Sequence, residues 1–393
     1  MAISKISANM IDGSLTSSLV TGSLPAVDGS ALTGAGAGID TETTSNPTAA
    51  TNPSGTGHLW VNKSSGQMFI CIDATAGKNI WANVGRGLGI FGQCFGGIGG
   101  GTVKGWIIGS AQAPGQQTIM SYSFTSNGNA SNVATLANAG AQPTGNSSTT
   151  HGYRCGGSNT VIEKFTFASS SNGTQIGTLA MGQSGGGACS VGSKTHGYVC
   201  GGYGASGEVS NIDKVSYSVD GNSTAAGDLQ AKVYHQAGSA SATHGYSSGG
   251  HAPPAVFVNT RQKFKFGADV SSSYIGDMAA ALNAYTTGES SNTHGYISGG
   301  VTVSSFNNAT ADIEKFSFSS DAPSVDIADL TVARIKGSSS SSTTHGYHTG
   351  GHTGNPGGAV NNTIDKFAFA SDANATDVGD MTAAYSGSGS AQF

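Results

Sequence analysis

Charged residues are scarce in this sequence, which removes the usual signature of several functional classes. Only 10% of the 393 residues are charged, and the net charge of −5 comes without a basic stripe, which argues against a nucleic-acid-binding surface. No run approaches the roughly 18 apolar residues of a membrane span. The opening residues MAISKISAN lack the apolar core of a signal peptide. We therefore expect no nucleic acid partner, no membrane insertion and no unaided entry into the secretory route.

Cysteine is rare as well. Cys71, Cys94, Cys155, Cys189 and Cys200 form no Cys-x-x-Cys pair and have no Cys/His spacing typical of zinc sites, so we expect buried thiols rather than a disulfide framework. The sequence also lacks a Gly-x-Ser-x-Gly elbow, a phosphate-binding glycine loop, a His-Glu-x-x-His helix and a series of sialidase-type boxes. It therefore predicts no catalytic residue, no cofactor and no metal site.

Glycine, in contrast, is abundant at 62 residues, and much of it belongs to a repeated heptapeptide. Copies of His-Gly-Tyr-x-x-Gly-Gly begin at His151, His196, His244, His294 and His345. A degenerate copy, Lys104–Ser110, lies 47 residues before the first, and the later spacings are 45, 48, 50 and 51 residues. A period of this length is typical of β-propellers and solenoids.

Each repeat has the pattern of four short strands. In the repeat that begins at His294, the heptapeptide, residues 313–318 and residues 326–330 are three predicted strands. A run of small residues before each heptapeptide, such as 337–342, supplies another, and it suits the crowded centre of a propeller. The sequence therefore predicts an all-β fold in which residues 101–393 form a six-bladed propeller, with seven blades as the alternative.

Aromatic residues mark the third strand of the repeat. They alternate at period two, so both point to one sheet face, which we expect to pack against the neighbouring blade. The pairs are Phe165 and Phe167, Phe264 and Phe266, Phe316 and Phe318, and Phe367 and Phe369. The Gly-Gly pair that ends each second strand indicates positive φ or a close backbone approach. Replacing Gly299 or Gly300 with Val should therefore destabilise the fold.

The small-residue run after the sixth repeat lies near residue 393. Residues 385–393 have the composition of an innermost strand, but no heptapeptide follows them. We expect this segment to pair beside residues 105–110 and thereby join the first blade. Residues 91–97 are the competing source of that strand.

The first hundred residues have a different pattern. Residues 1–55 contain Asp-Gly-Ser-type turns and few large apolar residues, so we expect an extended segment for assembly or attachment that becomes ordered against other chains. Residues 56–100 contain a small three-stranded meander, with Trp60 and Trp81 as its core, and a linker.

Two resemblances follow from these motifs. The Gly-Gly pair after an aromatic residue, with another aromatic on the third strand, resembles the kelch propeller, although a regular Trp on the fourth strand is missing. The stretch PSGTGHLWVNKSSGQMFIC at 53–71 and the IDKFAFASD and VGDMT strands look like parts of structural proteins of tailed phages, notably marine cyanophages.

The phage resemblance implies a component of the virion surface, made in the host cytoplasm. It would be a tail fibre, a head fibre or a decoration protein, anchored to other virion proteins through its N-terminal region. A homotrimer is the usual solution for such fibres.

The repeated polar residues are better explained by structure than by chemistry. Equivalent positions in a six-fold ring lie on the order of 8 Å apart, too far to share a zinc ion, and Lys104 breaks the histidine series. We predict that each histidine bonds a turn backbone or the neighbouring blade. We also predict blade-to-blade bridging by the adjacent acid and lysine pairs, which are Glu163–Lys164, Asp213–Lys214, Glu314–Lys315 and Asp365–Lys366.

The most variable segments connect the Gly-Gly pair to the third strand. They have four residues after Gly157, nine after Gly202, ten after Gly250, and twelve after Gly300 and Gly351, and all should emerge on one face. Loops on a rigid scaffold often bind ligands, and an exposed aromatic ring beside amide side chains is suited to binding a sugar. The alternative is that these loops are only solvated linkers. The candidate receptor-binding residues are His251, Pro253, Pro254, Phe257, Phe306, Asn307, His352, Asn355 and Pro356.

We therefore expect a virion structural protein that attaches to a host surface glycan or protein through its propeller. A passive capsid decoration and a propeller enzyme acting on surface polysaccharide are the alternatives.

Overall fold

The computed structural model describes residues 39–64, 67–85, 103–169, 171–180, 183–204, 207–254, 256–279, 284–301, 308–354 and 358–392. The chain forms two compact units, Met1–Gly89 and Ile90–Phe393. Both consist of β-strands, and the 3₁₀ turn Gly115–Gln117 is the only helical element in the described ranges. The all-β prediction is confirmed. Within the same ranges, no helix is long and apolar enough to cross a membrane.

The first unit contains one four-stranded sheet. Its strands are β1 (Thr41–Thr43), β2 (Leu59–Asn62), β3 (Gln67–Asp73) and β4 (Ile80–Gly85), in that order. Strands β2 to β4 form the expected antiparallel meander, and the rings of Trp60 and Trp81 meet edge to face at 5.7 Å. Strand β1 comes from the segment that we expected to be extended, and it pairs with β2 in parallel. Asp40 fixes this pairing, because its carboxylate accepts the amide of Leu59 at 2.7 Å.

The described residues of the second unit form six four-stranded antiparallel sheets, which we number 1 to 6 in the order of the heptapeptides. Sheet 1 consists of Gly389–Gln392, Lys104–Ile108, Thr118–Ser123 and Ser131–Thr135; sheet 2 of Thr144–Ser147, His151–Cys155, Val161–Thr166 and Thr174–Thr178; and sheet 3 of Cys189–Gly192, His196–Cys200, Asn211–Ser216 and Thr224–Asp228. Sheet 4 consists of Ala237–Ala240, His244–Ser248, Thr260–Lys265 and Ser273–Asp277; sheet 5 of Thr287–Ser290, His294–Ser298, Asp312–Ser317 and Val325–Asp329; and sheet 6 of Ser338–Ser341, His345–Thr349, Thr363–Ala368 and Thr376–Asp380. We refer to the strands by these positions, first to fourth.

Five shorter strands lie in the connections between these sheets. They are Gln183–Gly186, Tyr203–Gly204, Gly207–Glu208, His251–Ala252 and Val256–Phe257.

Sheet 1 combines strands from distant parts of the sequence. Its first strand, Gly389–Gln392, pairs antiparallel with Lys104–Ile108, so that Gly389 lies opposite Ile108 and Gln392 opposite Gly105. The pairing predicted for residues 385–393 is confirmed. The competing segment, residues 91–97, lies outside the described residues.

Small residues let the first strands of neighbouring sheets approach closely. The hydroxyl of Ser190 donates to the carbonyl of Gly145 in the preceding sheet, and the hydroxyl of Ser339 donates to the carbonyl of Gly288 at 2.9 Å. A Cβ on Gly288 would collide with the carbonyl of Gly238. At these positions the first strands therefore bond side chain to backbone across the sheets, with serine as the donor and glycine where the strands approach most closely.

Every interface between neighbouring sheets contains stacked aromatic rings. A ring from the second strand of one sheet packs on a ring from the third strand, or its end, in the next sheet. The pairs and centroid distances are Trp106–Phe167 at 4.4 Å, Tyr153–Tyr217 at 5.0 Å, Tyr198–Phe266 at 5.0 Å, Tyr246–Phe318 at 4.9 Å, Tyr296–Phe369 at 4.8 Å and Tyr347–Phe124 at 4.7 Å. The predicted packing of the third-strand aromatics against the neighbouring sheet is confirmed, and burial of each ring contributes roughly 1.5–3 kcal/mol.

The acid and lysine pairs also connect the sheets, in opposite directions. The lysine ammonium reaches an aspartate in the next sheet, with Lys164–Asp220 at 2.6 Å, Lys214–Asp269 at 2.6 Å and Lys315–Asp372 at 2.5 Å, whereas Lys366 reaches the side-chain oxygen of Asn127 at 3.2 Å. Lys263, which follows Gln262 rather than an acid, reaches Asp321 at 2.7 Å in the same way. The adjacent acid is buried and accepts a bond from the preceding sheet, as Asp213 does from the amide of Ala180 at 2.9 Å. The predicted bridging is confirmed.

The Gly-Gly pairs provide a first test of the fold. Gly299 has φ of 61°, and a Cβ there would lie 2.5 Å from the carbonyl oxygen of Arg334. We expect Gly299→Val to lower the free energy of unfolding by roughly 2–4 kcal/mol, because it adds backbone strain and a collision. Urea denaturation measures this. The control is Gly221→Val, where a Cβ meets nothing within 4 Å; equal losses for the two variants would contradict the explanation.

A second test separates buried from exposed ion pairs. Arg334 and Asp365 are fully buried and 2.5 Å apart, whereas the Lys315–Asp372 pair is partly exposed. Arg334→Met leaves a buried carboxylate without its cation, so we expect a loss of about 3–5 kcal/mol in the free energy of unfolding. Lys315→Met should cost less than about 1 kcal/mol. Chemical denaturation of both variants decides the point, and similar losses would show that burial is not the cause.

Candidate functional site

Six equivalent residues surround the mouth of a central depression in the second unit. Each lies two positions before the first strand of its sheet, and residues from all six sheets line the depression, whose empty space, open solvent included, is about 580 Å³. We call these residues the collar: Gln142, Gly187, His235, Tyr285, Lys336 and Gly387. All have φ between 56° and 73°. Residues other than glycine rarely adopt this left-handed conformation, so four of the six positions hold a side chain at a cost in backbone energy.

Backbone hydrogen bonds connect successive collar residues. The amide of His235 donates to the carbonyl of Gly187 at 2.5 Å, and the amide of Tyr285 donates to that of His235 at 2.8 Å. The amide of Lys336 donates to the carbonyl of Tyr285 at 3.0 Å, and that of Gly387 donates to Lys336 at 2.7 Å. These bonds link sheet 3 to sheet 4, sheet 4 to sheet 5, sheet 5 to sheet 6 and sheet 6 to sheet 1 through residues in the left-handed conformation.

The collar side chains lie over one another in the same order. A Cβ on Gly187 would lie 2.6 Å from Nδ1 of His235, so only glycine leaves room for that imidazole. The imidazole packs on the ring of Tyr285 with centroids 4.2 Å apart, and the ammonium of Lys336 lies 4.9 Å from the centre of the same ring. Tyr285 thus contacts both an imidazole and a cation.

Burial sets the protonation states in the collar. It lowers the pKa of His235 well below its usual value, with a further contribution from the charge of Lys336, so the imidazole is neutral at neutral pH. Burial raises the pKa of Tyr285 to about 12 and lowers the pKa of Lys336. Among the described residues, Lys336 forms no ion pair, whereas Lys164, Lys214, Lys263 and Lys315 all do.

A chain of aromatic contacts leads from the collar to an exposed ring. Tyr234 lies beside His235 with centroids 4.9 Å apart, and it meets Tyr203 edge to face at 5.6 Å. Tyr203 belongs to the connection that follows the Gly-Gly pair of sheet 3, and it is 45% exposed. A planar apolar ring is therefore presented to solvent next to the depression.

The long connections of sheets 4, 5 and 6 begin beside the collar. His251, Val301 and His352 each follow a Gly-Gly pair, and each donates its amide to the residue that precedes a collar residue. The bonds are His251 to Tyr234 at 2.8 Å, Val301 to Ala284 at 3.1 Å and His352 to Ile335 at 2.8 Å. The predicted loops of these three sheets thus start at the positions of His235, Tyr285 and Lys336, the collar residues with the largest side chains.

The predicted loop residues of sheet 4 differ in their exposure to solvent. His251 is only 5% exposed, and Pro253 and Pro254 are exposed. Phe257 is half-buried rather than exposed, since it packs on the imidazole of His251 at 5.2 Å and on the apolar cluster around Val301. The expectation of an exposed Phe257 is therefore wrong: the short strands His251–Ala252 and Val256–Phe257 fold the loop back on itself.

The remaining predicted site residues lie in the loops of sheets 5 and 6. His352 is half-buried, and its Nε2 lies 3.3 Å from the side-chain nitrogen of Gln112. Phe306, Asn307, Asn355 and Pro356 lie outside the described residues.

Sequence reasoning missed the collar and the tyrosines beside it. Tyr203, Tyr234 and His235 belong to no repeated motif, and their aromatic contacts join separate connections. The sequence did offer one signal, which is position: every collar residue lies two positions before the first strand of its sheet. Tyr285 and Lys336 stand out there as bulky residues, because Gly187 and Gly387 occupy the equivalent positions in other repeats.

The heptapeptide histidines stabilise their own turns. Nδ1 of each lies 2.8 Å from the hydroxyl of the preceding threonine, as in Thr150–His151 and Thr344–His345. The backbone amide of each histidine bonds the serine three residues before it, as His151 does to Ser148 at 3.0 Å. The predicted partners, a turn backbone or the neighbouring blade, were wrong. In the described part of the chain, no group of three His, Cys, Asp or Glu side chains could hold a metal ion.

The cysteines are buried, as predicted. Cys71, Cys155, Cys189 and Cys200 are free thiols with almost no exposure, and Cys94 lies outside the described residues. Burial raises the pKa of Cys155 to about 12, so this thiol is not a ready nucleophile.

A buried Ser, His and Glu cluster lies between sheets 5 and 6. The hydroxyl of Ser298 is 2.9 Å from Nδ1 of His348 and 2.8 Å from a carboxylate oxygen of Glu289. In a nucleophilic triad the acid orients the histidine, whereas here Glu289 bonds the serine, and all three side chains are inaccessible to solvent. We interpret the cluster as structural.

This cluster makes stability depend on pH. Burial raises the pKa of Glu289 from 4.5 to about 8, so the folded state binds its proton more tightly than the unfolded chain does. The stabilisation is complete below pH 4.5 and is lost as the pH rises towards 8. Glu289→Gln cannot titrate, so we expect its Tm relative to the parent protein to rise between about pH 5 and pH 8.5. Thermal denaturation across this range measures it, and a constant difference in Tm would contradict the assignment.

No protein-family model matches the chain, and no curated protein matches it either.

Proposed function

We propose that the second unit is a six-bladed, kelch-like β-propeller with sheets 1 to 6 as its blades. Three observations support it. The six sheets share one strand order, their first strands contact in a series that returns from sheet 6 to sheet 1, and each neighbouring pair of sheets has one aromatic stack. The stack of Tyr347 on Phe124 joins sheet 6 directly to sheet 1, which favours six blades over seven.

We further propose that the protein is a structural component of a tailed-phage virion, a tail or head fibre that attaches to a host surface glycan through the collar side of its propeller. The observation that carries the binding role is the exposed ring of Tyr203, which is joined by Tyr234 to the depression. Tyrosine offers sugars an apolar face and a hydroxyl. The virion assignment rests on the resemblance of residues 53–71 and of the repeats to phage structural proteins.

The lining of the depression favours recognition over hydrolysis. Glycoside hydrolysis uses a pair of carboxylates about 5–9.5 Å apart. The described residues that line the depression include no Asp or Glu, and the buried Glu289 bonds Ser298 away from solvent. In the proposed assembly, the N-terminal region binds other virion proteins and the chain is a homotrimer.

Binding to cells tests this function. We expect the labelled full-length protein to bind at least one strain in a panel of marine cyanobacteria, measured by flow cytometry. Tyr203→Ala should weaken binding about tenfold or more, which corresponds to roughly 1.4 kcal/mol. The matched control is Tyr274→Ala, since Tyr274 is another exposed tyrosine, 56% exposed, on the fourth strand of sheet 4. It should leave binding unchanged.

Other outcomes identify the alternatives. A folded protein that binds no strain but is incorporated into virions would indicate a passive decoration protein. Shortening of purified surface polysaccharide by the protein would indicate an enzyme. Equal losses in the two tyrosine variants would place the binding surface away from the collar.

A further inference from the structure

We propose that Lys336 and the collar form a subsite for an anionic group, so that the glycan recognised is an acidic one bearing a carboxylate, phosphate or sulfate. This inference rests on the proposed recognition of a surface glycan and adds its chemical class. It follows from the charge of Lys336, from the way the fold holds that side chain, and from the groups that the rest of the depression offers.

Lys336 is unusual in the described part of this unit because it is half-buried without a carboxylate partner, whereas Lys104, Lys232 and Lys265, for which the structure also shows no ion pair, are exposed. Four lysines that bridge neighbouring sheets each meet an aspartate within 2.7 Å, whereas Lys336 has no carboxylate partner among the described residues. Its side chain is nevertheless half-buried at the mouth of the depression. Partial burial of an ammonium without a counter-ion costs free energy, and burial lowers the pKa of this group accordingly. A ligand anion would supply the missing charge.

The fold holds this ammonium in one place. Lys336 donates its amide to Tyr285 and accepts the amide of Gly387, so both sides of its backbone are bonded. Its φ is 56°, a conformation in which glycine would be less strained. The ammonium lies over the ring of Tyr285, which also packs on the imidazole of His235. A strained residue whose side chain is positioned by its neighbours is typical of a binding site.

Three serines that line the depression have no free donor. The hydroxyls of Ser338, Ser339 and Ser390 donate to backbone carbonyls of neighbouring first strands. Their oxygens can still accept bonds from sugar hydroxyls, but they cannot stabilise an anion. An anionic group would therefore bind at the mouth, beside Lys336, and the neutral part of the saccharide would face the serines or the ring of Tyr203.

Calorimetric titration of the full-length protein tests the charge requirement. The probes are oligogalacturonate, its fully methyl-esterified form, a sulfated galactan oligosaccharide, a glycerol phosphate oligomer, inorganic phosphate and inorganic sulfate. We expect at least one acidic oligomer to bind, the esterified form to bind at least tenfold more weakly than its acid, and the free ions to bind weakly and compete. The oligomer that binds shows whether the anionic group recognised is a carboxylate, a phosphate or a sulfate. No binding by any acidic probe would overturn the inference.

Variants locate the site. Lys336→Gln should weaken the acidic probe that binds by tenfold or more, and Lys336→Arg should restore most of the affinity because it keeps the charge. The control is Lys265→Gln, which removes an exposed lysine at the opposite end of the third strand of sheet 4 from the Gly-Gly loop, across from His244. Melting temperatures verify that the variants fold. Equal affinities of the parent protein and Lys336→Gln would overturn the inference.

Binding to cells distinguishes failure of the anion subsite from failure of the proposed attachment function. If cells bind the parent protein and Lys336→Gln equally while Tyr203→Ala loses binding, the glycan is recognised without an anion subsite, and only the inference fails. If no cell binds the parent protein, the attachment function fails. In that case binding of an acidic probe that depends on Lys336 would still support the subsite.

Discussion

The stacking of one aromatic ring on the next sheet is the contact on which the second unit depends. Each sheet is too small to bury its own faces, and the ring of its second strand, such as Tyr198, packs against rings of the neighbour, here Phe264 and Phe266. Removing one sheet would expose a ring on each side of the gap. The repeats can therefore differ in their loops, but each must keep these rings, the glycines that let them approach and the narrow first strand.

Much of this arrangement could be predicted from the sequence because it is periodic. The heptapeptide gave the second strand and its turn, the alternating phenylalanines gave a buried face, and the repeated acid and lysine gave contacts between sheets. The collar could not be predicted in the same way, because its residues share a position and a backbone conformation but no side-chain chemistry. Gln142, His235 and Lys336, for example, form no recognisable sequence motif. Phe257 was misjudged because the fold-back of its loop depends on pairing with His251.

The collar and the loops differ around the unit although the scaffold repeats. Sheets 4 to 6 contribute His235, Tyr285 and Lys336 together with long connections, while sheets 1 and 3 contribute glycines to the collar. The regular hydrogen bonds of the collar backbone allow this variety, because they use no side-chain atom. A repeated framework thereby holds an asymmetric set of side chains, which is what recognition of an asymmetric ligand needs.

Sheet 1 has a consequence for synthesis. Because its first strand is Gly389–Gln392 and its second is Lys104–Ile108, a ribosome must translate nearly the whole unit before that sheet is complete. Until then the backbone of Lys104–Ile108 has a free edge, and such edges pair readily with other chains. The donor of the missing strand is then whichever Gly389–Gln392 segment reaches that edge first, so a second released copy of the chain competes with the chain's own segment, and a high local concentration of copies favours exchanged dimers.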